Sequence, residues 1–113
     1  MPEPVRLSSD TLVGALIRRV QGEGGNAMVL AKGDRHGGAI LIACAERGRI
    51  SCLLERVLDL EGQYRWMPCG PQDTEKAKEL TDYIDRRKSH DPDLWIVELD
   101  IAQAERFAAE TIS

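Results

Sequence analysis

Seven consecutive apolar residues, Ala39-Ile40-Leu41-Ile42-Ala43-Cys44-Ala45, limit the fold of this chain more than any other feature. The run is bounded by Gly37-Gly38 before it and Arg47-Gly48 after it, so its length suits a strand and falls short of an ordinary helix. With no polar alternation it has no face to give to water. It is therefore expected as a central strand, buried on both sides of a sheet. It is also far shorter than the roughly 20 apolar residues of a membrane-spanning helix.

The segments around it supply the layers such a strand needs. Leu12, Val13, Leu16, Ile17 and Val20 recur at helical spacing behind Ser8-Ser9-Asp10, which predicts a first helix over Ser9 to Gln21, stopped by Gly22, Gly24 and Gly25. Asn26 to Lys32 reads as a strand before the turn cluster Gly33-Asp34-Arg35-His36-Gly37-Gly38. Further strands are expected over Arg49 to Leu58 and Gln63 to Met67, separated by Leu60-Glu61-Gly62. Four strands joined by short turns imply an antiparallel meander. Ala77, Leu80, Tyr83 and Ile84 place a second amphipathic helix over Asp73 to Lys88. Asp91-Pro92-Asp93 ends it, and Leu94 to Ile101 alternates as a strand with Trp95, Val97, Leu99 and Ile101 on its apolar face. Residues 102–113 suit either a short terminal helix or a frayed tail, and residues 1–7 are also expected to fray. The reading is a single α+β domain over residues 1–113: helix, four-strand antiparallel meander, helix, strand, with a mixed sheet covered by helices.

Length and charge narrow the function classes. At 113 residues the chain supports one core. A net charge of −4 argues against a general nucleic-acid binder, whose affinity comes from clustered Lys and Arg releasing counterions. The start, Met-Pro-Glu-Pro, has neither the charged opening nor the apolar stretch of an export signal, so no membrane association is expected. Three cysteines without a C-x-x-C pair fit reduced thiols in a cytoplasm better than a disulfide framework.

Several of these segments carry a resemblance. Ala15-Leu16-Ile17-Arg18-Arg19 on the opening helix, Lys32-Gly33-Asp34 before a Gly-Ala-Ile strand, and above all Asp91-Pro92-Asp93-Leu94-Trp95-Ile96-Val97-Glu98 resemble the small bacterial proteins grouped as domain-of-unknown-function family 1491. The similarity runs from about residue 6 to residue 100. Members tend to end in a Gly-Arg turn and an aromatic strand, where this chain has Ala104-Glu105-Arg106-Phe107. The resemblance implies no activity, cofactor or catalytic residue.

Candidate sites come from the residues themselves. His90, Asp91, Asp93 and Glu98, with Asp100 beside Glu98, gather carboxylates and an imidazole near one strand, a set suited to a hard cation or to acid-base work, or simply to a capped turn and a solvated strand face. A metal-nuclease triplet is absent, because Glu55-Arg56-Val57 lacks the required Lys. Cys69, just ahead of the second helix, is placed where a helix N-terminus can lower a thiol pKa, but no local motif ties His36 or His90 to it as a base, so a passive loop thiol is the expectation. Cys44 and Cys52 lie on the two arms of the Arg47-Gly48 hairpin. An even loop sets Cys44 opposite Ser51 and Cys52 opposite Ala43, which sends the two sulfurs to opposite faces where they cannot share a metal, whereas an odd loop with a bulge brings them together; buried structural thiols are the expectation. Gly22-Glu23-Gly24-Gly25 follows a helix rather than a strand, so it is a helix stop and not a phosphate cradle. His36 sits in a hairpin turn.

Arg18 and Arg19 on the first helix, with Arg86 and Arg87 ending the second, form one basic patch if both helices cover the same face. Tyr64 and Trp66 share one face of the fourth strand, as a partner hot spot or as packing against a helix. No complete catalytic constellation emerges, and no cofactor can be named. The leading expectation is a non-enzymatic binding or accessory module with a protein partner or a second copy of itself. The alternative is a small metal-assisted enzyme using the His90 to Glu98 cluster.

Overall fold

A computed structural model describes residues 8–72 and 76–111. The expectations for residues 1–7 and for a helix start at Asp73 lie outside them. Helix α1 (Ser9–Gly22) is followed by strands β1 (Asn26–Ala31), β2 (Ile40–Glu46), β3 (Arg49–Leu58) and β4 (Tyr64–Cys69), then α2 (Ala77–His90), β5 (Trp95–Asp100) and α3 (Ala104–Thr111). The tail therefore resolves as a helix, with Ala104 and Ala108 buried.

The strands form one five-stranded sheet in the order β1-β5-β2-β3-β4, with β2 at its centre. From Ile40 to Ala45 every residue of β2 is at most 2% exposed, as its unbroken apolar run requires. The expected four-strand meander holds only for β2, β3 and β4. Strand β5 enters between β1 and β2, antiparallel to the first and parallel to the second, with Val97 opposite both Val29 and Ile42. The wide turn from Lys32 to Ala39 leaves a gap one strand across, and β5, with Trp95, Val97 and Leu99 on one face and Ile96 on the other, fills it.

Two cores sit on the two faces of the sheet. On one, α1 and α3 bring Leu12, Leu16, Val20 and Ala108 onto Ile40, Ile42, Trp95, Val97 and Leu99. On the other, Leu80 and Ile84 of α2 cover Leu41, Ala43, Leu53 and Ile96. Ala77, expected on the buried face of α2, is exposed in its first turn. No helix among the described residues is long and apolar enough to cross a membrane.

Candidate functional site

The segment from His90 to Glu98 is first of all a structural junction. Asp91 closes α2, its N–H donating to the Arg87 carbonyl at 2.9 Å, and Leu94 N–H returns to the Asp91 carbonyl at 3.0 Å. The carbonyl of Asp93 then accepts from the Asp34 N–H at 3.0 Å. Gly33 and Gly38 press so closely on that same carbonyl that a Cβ on either would overlap it. Trp95, 4% exposed as expected of a core residue, donates its indole N–H to the Asp34 carbonyl at 2.6 Å. The turn cluster in turn caps α1, with Ser9 and Asp10 N–H groups donating to the carbonyls of His36 and Arg35. The Asp34 carboxylate accepts from the N–H groups of His36 and Gly37, so His36 belongs to a closed turn.

The acidic residues of this region do not converge. Asp91 accepts from Arg87 Nε at 2.8 Å. Glu98 lies in mid-strand facing the α2 side, and at about 3.3 Å per residue it is some 16 Å along the chain from Asp93. Asp100 is spent on the β2–β3 turn, each carboxylate oxygen accepting one backbone N–H, from Arg47 and from Gly48, at 2.7 Å. His90 Nδ1 lies 2.8 Å from the Arg86 carbonyl, one turn back. Burial, with the charge of Asp100 second, raises the Glu98 carboxyl above its ordinary pKa.

Arg87 is the hub of a cleft of about 330 Å³ lined by Ala39, Glu55, Arg87, Asp91, Pro92, Asp93 and Leu94. Its Nη1 donates to Glu55 at 2.6 Å and to the Tyr83 hydroxyl at 2.9 Å. The guanidinium is thus held by two carboxylates and a phenol, half-buried against the sheet. Arg18 and Arg19 lie on the opposite face, where Arg19 pairs with Glu110 and approaches the Phe107 ring. The joint basic patch is not formed, because α1 and α2 cover different sides of the sheet.

Tyr64 and Trp66 are half-buried on the α1 side of β4, where Trp66 packs against the core and the Arg56 guanidinium stacks 3.7 Å from the Tyr64 ring. Beyond them Leu58 is exposed at the end of β3, and Leu60 is fully exposed on the β3–β4 turn. The turn is rigid. The Asp59 carboxylate accepts from the N–H groups of Glu61 and Gln63 and from Arg65 Nε, bonds that hold it below the ordinary carboxylate range, and Gly62 supplies the left-handed φ of 82°.

The register of two of the thiols departs from expectation. Cys69 ends β4, well before α2 begins, and burial pushes its pKa up, so helix activation does not apply. Arg47 and Gly48 both have positive φ, the two-residue turn of a tight hairpin, which pairs Glu46 with Arg49. The loop is even, yet a bulge leaves Ser51 unpaired and sets Cys44 opposite Cys52, overturning the simple register. Both thiols therefore point to the α1–α3 face. There the hydrogen bond between them lowers Cys52 to about 7 and raises Cys44. Sγ of each and a carboxylate oxygen of Glu105, in the first turn of α3, all lie within 4.8 Å of one another. Glu105, Leu58 and Leu60 did not stand out in the sequence, and Cys44 and Cys52 came together there only as the alternative to the simple register, since only the bulge and the docking of α3 create the group and only the exposure of the turn distinguishes the two leucines.

Sheet order and helix placement define a three-layered α+β domain in which helices flank a mixed five-stranded sheet. The chain belongs to the family described as protein of unknown function (DUF1491), whose model matches residues 7–109, in agreement with the motif resemblance. It is 33% identical to a DUF1491 family protein from Caulobacter crescentus CB15 known from a crystal structure, with a TM-score of 0.78 over 90% of this chain and 94% of that one. An NMR structure of a DUF1491 family protein from the same organism gives 32% identity and a TM-score of 0.77 over 92% and 94%. A protein from A. tumefaciens, known from its solution structure, gives 28% identity and 0.66 over 88% and 89%. No curated protein matches the chain.

Proposed function

We propose that the protein is a non-enzymatic binding module that recognises another protein through the tip of the β3–β4 hairpin. The observation that carries this reading is Leu60, fully exposed on a turn whose conformation is fixed by Asp59. An exposed leucine on a flexible loop is unremarkable. On a preorganised turn it is an anchor that loses little conformational freedom when it enters a pocket. Leu58, 52% exposed on β3, extends the apolar surface, with the Tyr64 ring beside it in the paired strand.

The tip is convex, so its complement is an apolar pocket. Among the described residues the clefts at Arg87 and at Glu79, Asp82, Asp85 and Arg86 are rich in charge, and the one beside Ala39 and Ile40 is rimmed by Ser8, Ser9, His36 and Arg56, so none is a mainly apolar pocket, which favours a different protein over a second copy as the occupant. The acidic residues proposed for a metal-assisted enzyme are separated along β5 and engaged in turns, which leaves that alternative without a convergent site.

A photo-crosslinking side chain at position 60, in full-length protein expressed in its own cell, tests the proposal. One discrete adduct is expected, lost on Leu58→Asp and absent when the same side chain replaces Asp85 on α2. No adduct at position 60, or the same adducts at both positions, overturns it.

A further inference from the structure

We propose that Cys44, Cys52 and Glu105 form a binding site for a thiolate-favouring divalent cation of the Zn²⁺ class, with its fourth coordination position open to solvent. The site is separate from the hairpin tip, and the two proposals stand or fall independently.

The donor set decides the class of metal. Two thiolates and one carboxylate suit Zn²⁺, or Co²⁺ as its spectroscopic substitute, and poorly suit Mg²⁺ or Ca²⁺, which take oxygen ligands. In a tetrahedral site with Zn–S near 2.3 Å and Zn–O near 2.0 Å, donor atoms stand about 3.5–3.8 Å apart. The three present here are already within 4.8 Å of one another, and a rotation of the exposed Glu105 side chain closes the remainder.

Two backbone features bring the donors together. The first is the bulge at Ser51, which turns Cys52 to the face that Cys44 occupies; bulges re-aim side chains in this way near functional sites. Ser51 Oγ donates to the Cys44 carbonyl at 3.2 Å, steadying the strand that carries the buried donor. The second is Gln103, a non-glycine residue in the left-handed region at φ 59°, a conformation that L side chains disfavour. It turns the chain from β5 into α3 so that Glu105 faces the sulfurs, while Ile101 N–H donates to the Ala45 carbonyl at 3.0 Å and ties that turn to β2.

A cavity of about 100 Å³ adjoins the group, lined among others by Ser51, Gln103 and Glu105. It has room for a water molecule, with a liquid volume of about 30 Å³, as the fourth ligand. Both cysteines bind as thiolates and release to solvent whatever thiol protons they still carry, so a bound divalent ion with two thiolates and one carboxylate has a net charge of −1.

Anaerobic titration of the reduced full chain with Co²⁺ tests the site. The expected result is one ion per chain, a near-ultraviolet sulfur-to-cobalt charge-transfer band with tetrahedral visible absorption, and displacement by Zn²⁺. Cys69→Ser leaves the spectrum unchanged, Cys52→Ser abolishes the tetrahedral signal, and Glu105→Gln weakens affinity about tenfold or more. Glu105 is exposed, so this last variant keeps the test decisive even if Cys52→Ser fails to fold. No charge-transfer band at stoichiometric Co²⁺, a band that survives Cys52→Ser and is lost with Cys69→Ser, or an affinity indifferent to Glu105→Gln overturns the proposal.

Discussion

The indole N–H of Trp95 reaches 2.6 Å to the carbonyl oxygen of Asp34, so the most distinctive motif of the chain is anchored to a turn 61 residues earlier. The contact holds the turn that makes room for β5 between β1 and β2. Trp95→Phe keeps the ring in the core but leaves the carbonyl without that donor. It is expected to cost about 1–3 kcal/mol, read from urea unfolding, with little change in the slope.

Gly33 and Gly38 serve the same junction from the other side. A methyl group on either must displace the Asp93 backbone, not a flexible side chain. Gly38→Ala is therefore expected to lose about 1–3 kcal/mol or more. Gly37→Ala, where a Cβ meets nothing within 4 Å, is the control and should stay within about 0.5 kcal/mol of the parent. Equal losses in the two variants would show that the close approach to Asp93 is not what excludes a side chain.

How much of this was legible follows from the range over which each feature is decided. The central place of β2 could be read because burial on two faces is written in seven adjacent side chains. The bounds of β3, Arg49–Leu58, agree with expectation because local turn formers set them. Trp95 was placed correctly by alternation. The insertion of β5 was not visible, since alternation reports which residues face a core and not which strand lies alongside. The Ser51 bulge was missed for a related reason: no glycine or proline marks it, and it follows a turn whose own residues predict a simple register. Glu105 could not be joined to the thiols without the docking of α3. The Arg18-Arg19 and Arg86-Arg87 clusters looked like one patch because sequence does not say which side of a sheet a helix covers.

Arg87 presents two of its nitrogens to three different partners, an arrangement that depends on the planar fork of the guanidinium. Its side chain is 21% exposed and that of Glu55 25%, so water screens the pair only in part. Arg87→Met is expected to destabilise by about 1–3 kcal/mol by leaving Glu55 half-buried without its cation. Arg87→Lys should restore less than half of the loss, because one ammonium cannot hold Glu55, Asp91 and Tyr83 together. Full rescue by Lys in thermal unfolding would reduce the interaction to simple charge pairing.

Asp100 holds the β2–β3 turn through two backbone N–H groups, an interaction that requires two acceptor oxygens. Asp100→Asn replaces one of them with a donor. A loss of about 1–2 kcal/mol is expected, together with faster amide exchange at Arg47 and Gly48 than elsewhere in the sheet. Exchange that stays slow at those two amides would show that the positive-φ turn holds itself without the carboxylate.

Glu98 should reverse the usual dependence of a carboxylate on pH. Burial raises its pKa in the folded chain, with the charge of Asp100 adding to the effect. A carboxyl that binds its proton more tightly when folded favours the folded state below the unfolded pKa of about 4.3, and that contribution disappears as pH rises through the folded value. At neutral pH the ionised group therefore works against folding. Glu98→Gln removes the charge, and because water still reaches this half-buried side chain the gain is expected to be modest, about 0.5 kcal/mol or a few degrees in Tm at pH 7. The advantage should shrink to nothing near pH 3, where the parent is protonated in both states. An equal gain at pH 3 and pH 7 would assign the effect to packing of the amide beside Met28, its neighbour across β1, rather than to the charge.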